Sequence, residues 1–277
     1  MTVRIVTDST ADLPDSVVTS LGIRVVPLHI HFGEDTYDDG VTISKDEFYD
    51  RLVTSSKLPK TSAPSAGEFT AAYQDLPPDT EEIVSIHISS KLSATYQSAT
   101  VARDTSPSNS ALHVVDSRSA TIGLGLLVVR AAQMALDGAS ATRIVEEVKS
   151  LVPGTQLFGV VDTLEYLHKG GRIGMASALL GSLLKVKPII GVRDGIVHPI
   201  ERVRGTERAF ERLCEMVAGY ESISSLAVAH TTAEREMEHL VERLSTGFPA
   251  DKIMRSRCGA TLGTYLGPDA LCVALLP

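Results

Sequence analysis

Tryptophan is absent from this 277-residue chain, and aromatic residues make up only 5% of it. The interior must therefore be packed by aliphatic side chains, because hydrophobic residues still account for 43%. That composition suits a plain core and an alkyl ligand equally well. Cysteine is also sparse: Cys214, Cys258 and Cys272 are far apart and odd in number. They form neither a disulfide framework nor a metal-ligand pair, and are expected to stay reduced in the cytoplasm. Basic charge is in deficit, with 26 Lys and Arg against 34 Asp and Glu, a net charge of −8. A broad nucleic-acid footprint is excluded on that count. No apolar run is long enough to span a bilayer, since Arg130 interrupts residues 120–136 and Lys185 and Lys187 interrupt residues 176–192. The first residues turn polar at once, so no secretory signal is expected.

Several enzyme signatures are missing as well. There is no GxxxxGK[ST] loop, no GxGxxG after a strand and no GxSxG elbow. His29 and His31 alternate on one strand face but lack a third ligand at suitable spacing, and Asp35, Asp38 and Asp39 miss the EF-hand pattern. Neither a metal nor a cofactor is expected.

What is present is a repeated alternation of short apolar runs with helical segments. Strands are expected at residues 3–7, 83–88, 112–115, 157–161, 226–230 and 271–275, with an extended stretch at 23–32. Ser44 with Glu47, and Ser65 with Glu68, have the spacing of capping boxes that open helices. Helices are also expected at 92–104, 120–137, 141–151, 207–219 and 233–244. Asp194-Gly195 between two apolar runs signals a hairpin. The pattern predicts an α/β protein with mainly parallel sheets flanked by helices. We place a boundary near Pro153-Gly154, giving an N-terminal lobe over residues 1–153 and a C-terminal lobe over 154–277.

Ligands of such sheets bind where strands lead into helix N-termini. Three junctions in the first lobe are rich in hydroxyls: Asp8-Ser9-Thr10, Thr61-Ser62 before the Ser65 cap, and Ser89-Ser90-Lys91-Leu92-Ser93. Helix capping and anion binding are both open readings of the third junction. With Ser90 as the cap, Ser93 is free to donate to a carboxylate or phosphate. In the second lobe, His168-Lys169-Gly170-Gly171-Arg172 is a glycine turn whose Arg172 suits bidentate pairing with a carboxylate or an ordinary surface ion pair. An apolar helix near 177–184, presenting Ala176, Leu179, Leu180, Leu183 and Leu184, reads either as buried core or as the wall of an apolar tunnel. Between His168 and Arg212 there are nine Lys and Arg against four Asp and Glu, a local excess that marks either scattered surface charge or a docking face.

Several runs taken together are familiar. They are Val6-Thr7-Asp8-Ser9-Thr10-Ala11-Asp12-Leu13, Thr61-Ser62-Ala63-Pro64-Ser65, Ile88-Ser89-Ser90-Lys91-Leu92-Ser93-Ala94-Thr95-Tyr96, Val115-Asp116-Ser117, Leu164-Glu165-Tyr166-Leu167-His168-Lys169-Gly170-Gly171-Arg172 and Lys187-Pro188. In this order they resemble the DegV family, the fatty-acid-binding subunits of bacterial fatty acid kinase, from end to end. The resemblance implies two α/β lobes enclosing one long-chain fatty acid between them. It implies that Thr61 and Ser93 bond the carboxylate, with Ser62, Arg172 and Tyr265 around them. It also implies that the chain is not itself an enzyme. A separate ATP-binding kinase subunit would phosphorylate the presented carboxylate for phospholipid synthesis and dock against arginines such as Arg202 and Arg204. One departure stands out. The family's Gly-x-His-x-Gly-Pro-Gly run is Gly263-Thr264-Tyr265-Leu266-Gly267-Pro268-Asp269 here, with Tyr for the His and Asp for the last Gly. Tyrosine donates a hydrogen bond as histidine does, and Asp269 brings a negative charge to the run. The rival expectations are a hydrolase or transferase acting on a small anion at Ser93, or a regulatory lipid-binding module without a kinase.

Overall fold

The computed structural model describes residues 2–105, 111–180 and 186–277. The chain opens with β1 (Val3–Asp8), α1 (Asp15–Ser20), β2 (Arg24–Val26), β3 (His29–Phe32), β4 (Asp35–Asp38), α2 (Lys45–Thr54), β5 (Lys60–Ser62) and α3 (Ala66–Gln74). It continues through β6 (Glu82–His87), α4 (Thr95–Thr105), β7 (Ala111–Asp116), α5 (Thr121–Leu136), α6 (Ala141–Leu151), β8 (Gln156–Val160) and α7 (Glu165–Lys169). It ends with β9 (Val186–Arg193), β10 (Ile196–Arg204), α8 (Thr206–Ala218), β11 (Ser225–His230), α9 (Glu234–Leu244), β12 (Ile253–Arg257), α10 (Ala260–Leu266) and β13 (Leu271–Leu276). No helix among the described residues is long and apolar enough to cross a membrane.

Local chemistry explains several of these boundaries. Ser44 accepts from the Glu47 N–H at 3.2 Å and starts α2. Ser65 and Glu68 form the reciprocal box that starts α3. Asp194 and Gly195 both take positive φ, 52° and 79°, as the two central residues of the β9–β10 hairpin must.

The first sheet, β2-β1-β6-β7, is entirely parallel. The second, β10-β9-β8-β13-β11-β12, departs from the mainly parallel expectation, since only β11 and β12 run parallel. Two connections cause this. The tight hairpin sends β10 back along β9, and the closing strand β13 inserts between β8 and β11, antiparallel to both. A third, antiparallel sheet, β4-β3-β5, forms around β3, the only one of its strands within the stretch read as extended, 23–32. The apolar segment near 177–184 also differs. Gly174–Leu179 is a 3-10 helix and Leu180 is extended, while Leu183 and Leu184 lie outside the described residues.

Helix α5 is apolar nearly all round, the pattern of a helix buried on every side. It packs against β1 and β6 on one side and against β11 and β13 on the other. One hydrophobic cluster therefore runs from Ile5 and Ile86 through Leu124 and Leu127 to Ala229 and Ala274. Gly125 permits this approach, because a Cβ there would stand 2.6 Å from the Ala11 carbonyl oxygen. The seam between the two large sheets is thus well filled beneath α5, and its open part lies beyond the start of that helix.

Candidate functional site

A cavity occupies that seam, with about 170 Å³ open to the centre of a water-sized sphere. Its apolar wall comes from Leu157 and Gly159 on β8, Ile190 and Val192 on β9, Val197 on β10, Leu262 and Leu266 on α10, and Cys272 on β13. Its polar groups are Thr61, Ser62, Ser93, Thr121, Arg172, Thr261 and Tyr265. Thus all five residues expected at a carboxylate site, Thr61, Ser62, Ser93, Arg172 and Tyr265, line one cavity. The expected tunnel wall is placed differently. Ala176 is buried in the core, Leu179 is half-buried and Leu180 is exposed, and none of them lines the cavity. Among the described residues the apolar wall is made by these strands and α10, with Leu28, Ile88, Leu92 and Leu167.

The polar residues form a connected group. Thr61 Oγ1 and Tyr265 Oη lie 2.5 Å apart. The Arg172 guanidinium sits over the Tyr265 ring, 5.2 Å from its centroid. Arg172 is held by donating from Nε to the Leu92 carbonyl at 3.1 Å and from Nη1 to the Gly170 carbonyl at 3.0 Å. Leu92 is the chain neighbour of Ser93, which lines the same cavity. Gly170 is required here, because a Cβ would come within 2.5 Å of Tyr265 Cδ1. Ser62 is engaged elsewhere, with His31 Nε2 at 2.9 Å.

The third junction is built differently from the expected arrangement. Helix α4 starts only at Thr95, after a turn in which the Leu92 and Ser93 N–H groups both donate to the Ser89 carbonyl. Ser90 donates to Asp116 instead of capping the helix. Ser93 takes the capping role, accepting from the Thr95 N–H at 3.3 Å, with its hydroxyl 2.8 Å from that of Thr95. When Thr95 donates within that pair, the Ser93 proton is left for a ligand.

Helix α10 is positioned from across the chain. Asp39 accepts from the Ala260 and Thr261 N–H groups at 2.8 and 3.1 Å, and Asp12 accepts from the Gly259 N–H at 2.7 Å. Asp12 also accepts from Thr121 Oγ1 at 2.6 Å, which holds Thr121 at a φ of 44°, unusual for a β-branched residue. Burial pushes the Asp12 carboxyl up to about 7, opposed by the nearby Lys45 ammonium and by its own hydrogen bonds. Asp269, the unusual last residue of the 263–269 run, takes a φ of 57° and accepts from Thr232 Oγ1 at 2.8 Å. It is not part of the cavity lining.

A Ser–His–Asp alignment does occur, away from the Ser93 junction where a hydrolase or transferase was the rival expectation. Ser85, His87 and Asp8 are aligned as a triad, with Ser85 Oγ 2.6 Å from His87 Nε2 and His87 Nδ1 2.9 Å from Asp8. All three are fully buried, and Tyr73, whose hydroxyl burial pushes up to about 12, lies 3.0 Å from Ser85 Oγ. No substrate carbonyl can reach that serine; the network ties β1 to β6. Nor do His29 and His31 form a metal site: His29 lies between Asp38 and Glu68, and the described residues contain no cluster able to hold a metal ion. Thr121, Thr261 and the strand residues of the wall were missed by sequence reading. The one available signal was the spacing of Thr261 and Tyr265, four residues apart.

The DegV family model matches residues 2–277. A DegV domain-containing protein of Caldanaerobacter subterraneus is 37% identical over 271 residues, covering 97% of this chain and 96% of that one. Protein DegV of Bacillus subtilis is 34% identical over 275 residues, covering 98% of each. Among solved structures, the fatty-acid-binding DegV family protein of Thermus thermophilus superimposes with a TM-score of 0.92 at 31% identity, covering 100% of this chain and 99% of that one. The structure of DegV from Bacillus subtilis, a fatty acid binding protein, gives 0.90 at 32% identity with the same coverage.

The raised Asp12 pKa has a consequence for stability. Between the ordinary carboxyl value of 3.8 and about 7, the folded protein keeps a proton that the unfolded chain has lost. Its contribution is complete below that window and disappears as pH rises through about 7. Urea denaturation at about pH 5 and pH 8 should therefore show the wild type losing on the order of 2 kcal/mol relative to Asp12→Asn. Parallel losses in the two proteins would refute this assignment.

Proposed function

The chain belongs to the DegV family, and from that premise we propose that it holds one long-chain fatty acid in the seam cavity. The carboxylate lies among Thr61, Ser93, Arg172 and Tyr265, and the alkyl tail lies against β8, β9, β13 and α10. Residues 1–153 and 154–277 act as two lobes that contribute complementary halves: Thr61 and Ser93 from the first, Arg172 and Tyr265 from the second. The observation that carries this reading is the cavity itself, an apolar pocket in which Thr61, Tyr265 and Arg172 touch one another and Arg172 is the only cation among the described lining residues.

The energetics divide accordingly. Each buried methylene contributes ~0.8 kcal/mol, so a tail of about 14 supplies roughly 11 kcal/mol before ordering costs. A hydrogen bond to a charged group adds only ~1.5–3 kcal/mol. The tail supplies most of the affinity and the head group fixes the orientation.

The protein itself performs no chemistry in this reading. It works in the cytoplasm and presents the carboxylate to a separate ATP-dependent kinase, which forms the acyl phosphate used in phospholipid synthesis. Arg204 at the end of β10 is exposed and Arg202 is half-buried, and neither forms an ion pair with another described residue. They are cations available to that partner. Tyr265 stands where the family's histidine would, and donates to the carboxylate without carrying a charge to it.

Three variants test this reading. Ser93→Ala should weaken palmitate binding roughly ten- to a hundredfold in a direct titration, the value of one hydrogen bond to a charged group. Gly159→Leu should exclude long acyl chains and spare short ones, since a Cβ there meets its neighbours at ordinary contact distances of 3.5 Å or more. Unchanged binding in both would remove the ligand from this cavity. In a reconstituted system with a fatty acid kinase subunit, Arg204→Glu should lower acyl phosphate formation by at least about tenfold at unchanged lipid affinity. Equal loss of both would contradict the docking role.

A further inference from the structure

Among the described residues, every hydroxyl group of the cavity has a hydrogen-bond partner with one exception. Thr61 pairs with Tyr265, Ser62 with His31, Ser93 with Thr95 and Thr121 with Asp12. Thr261 lines the same cavity, is 3% exposed, and its Oγ1 has no hydrogen-bond partner among the described residues. A buried threonine on a helix ordinarily bonds back to the carbonyl four residues earlier, as Thr264 does to Ala260 at 2.9 Å. Thr261 has no such recourse. The carbonyl four residues before it belongs to Arg257 at the end of β12, and accepts from Lys45 Nζ at 2.7 Å.

An unpaired buried hydroxyl is costly, and native structures rarely keep one without a reason. Position supplies the reason here. Residues four apart lie one above the other on a helix face, so Thr261 and Tyr265 present to the cavity together. Four residues advance about 6 Å along the axis. Tyr265 belongs to the head-group cluster, which places Thr261 beside the tail a few methylenes from the carboxylate.

We propose that Thr261 is a specificity-determining residue that selects fatty acids carrying a hydroxyl or oxo oxygen on the carboxylate-proximal part of the chain. The inference rests on the fatty-acid reading above and names a ligand class within it. A polar substituent entering an otherwise apolar tunnel is disfavoured unless a partner meets it. The Thr261 hydroxyl is that partner, and a plain alkyl chain leaves it unmet.

The test titrates palmitic acid and its isomers hydroxylated near the carboxylate, at mid-chain or at the terminal methyl. The proteins are the wild type, Thr261→Val and Thr261→Ser. Because the hydroxyl lost in Thr261→Val has no partner, that variant should fold as the wild type does, which a thermal melt checks. The wild type should bind the carboxylate-proximal isomer relative to palmitate roughly three- to tenfold better than Thr261→Val does, and Thr261→Ser should restore most of that ratio. An identical ratio in wild type and Thr261→Val overturns the proposal, the hydroxyl then serving only a water. A preference for the terminal isomer also overturns it. If the wild type binds neither palmitate nor any isomer, the fatty-acid reading itself fails. Palmitate binding without discrimination removes only the role of Thr261.

Discussion

Two carboxylates from the first half of the chain hold a seven-residue helix from the last twenty, and the site depends on that grip. Asp12 follows β1 and Asp39 follows β4, yet together they accept the backbone N–H groups of Gly259, Ala260 and Thr261. Helix α10 has little intrinsic reason to form. It is short, contains Gly263 and carries β-branched threonines. Gly263 also lets it lie close on α2, since a Cβ there would stand 2.6 Å from Phe48 Cε1. Once anchored, α10 presents Thr261, Leu262, Tyr265 and Leu266 to the cavity. Tyr265 then meets Thr61 from the third sheet and supports Arg172 from the loop after α7.

This arrangement separates two tasks by chemistry. The strands β8, β9 and β13 supply an apolar surface whose attraction for an alkyl tail grows with each methylene buried. In the proposed reading the opposite demand, a fixed place for a carboxylate, falls to a few groups whose positions are set by other bonds: Ser93 by the α4 cap, Arg172 by two carbonyls, and Thr61 by the register of β5 on β3. Prepaid ordering of this kind lowers the entropy cost of binding. The fully buried Tyr73–Ser85–His87–Asp8 network shows the same residue types serving structure alone. Triad geometry without access is a brace.

Much of this was legible in the sequence because it is written locally. The Ser44 and Ser65 caps, the Asp194-Gly195 hairpin and the buried α5 each follow from residues within a few positions of one another. The hydroxyl-rich junctions and the glycine turn at 170–171 were likewise identifiable by type and spacing. What escaped was long-range. The antiparallel course of the second sheet depends on where β13 inserts, which no local pattern encodes. Helix α10 escaped because its cap lies more than two hundred residues away, and Thr261 escaped with it. The exchange of roles between Ser90 and Ser93 turned on a loop turn around Ser89 that delays the start of α4. The apolar run expected to wall the tunnel had the right composition, but within the described residues it leaves the cavity to the strands.

The central claim is that the cavity is made for an alkyl tail, and the most direct measurement is of what the purified protein carries. Organic extraction followed by quantitative mass spectrometry should release close to one long-chain fatty acid per protein chain. Protein that yields no lipid, and still takes up none when incubated with a mixture of fatty acids, would contradict the account.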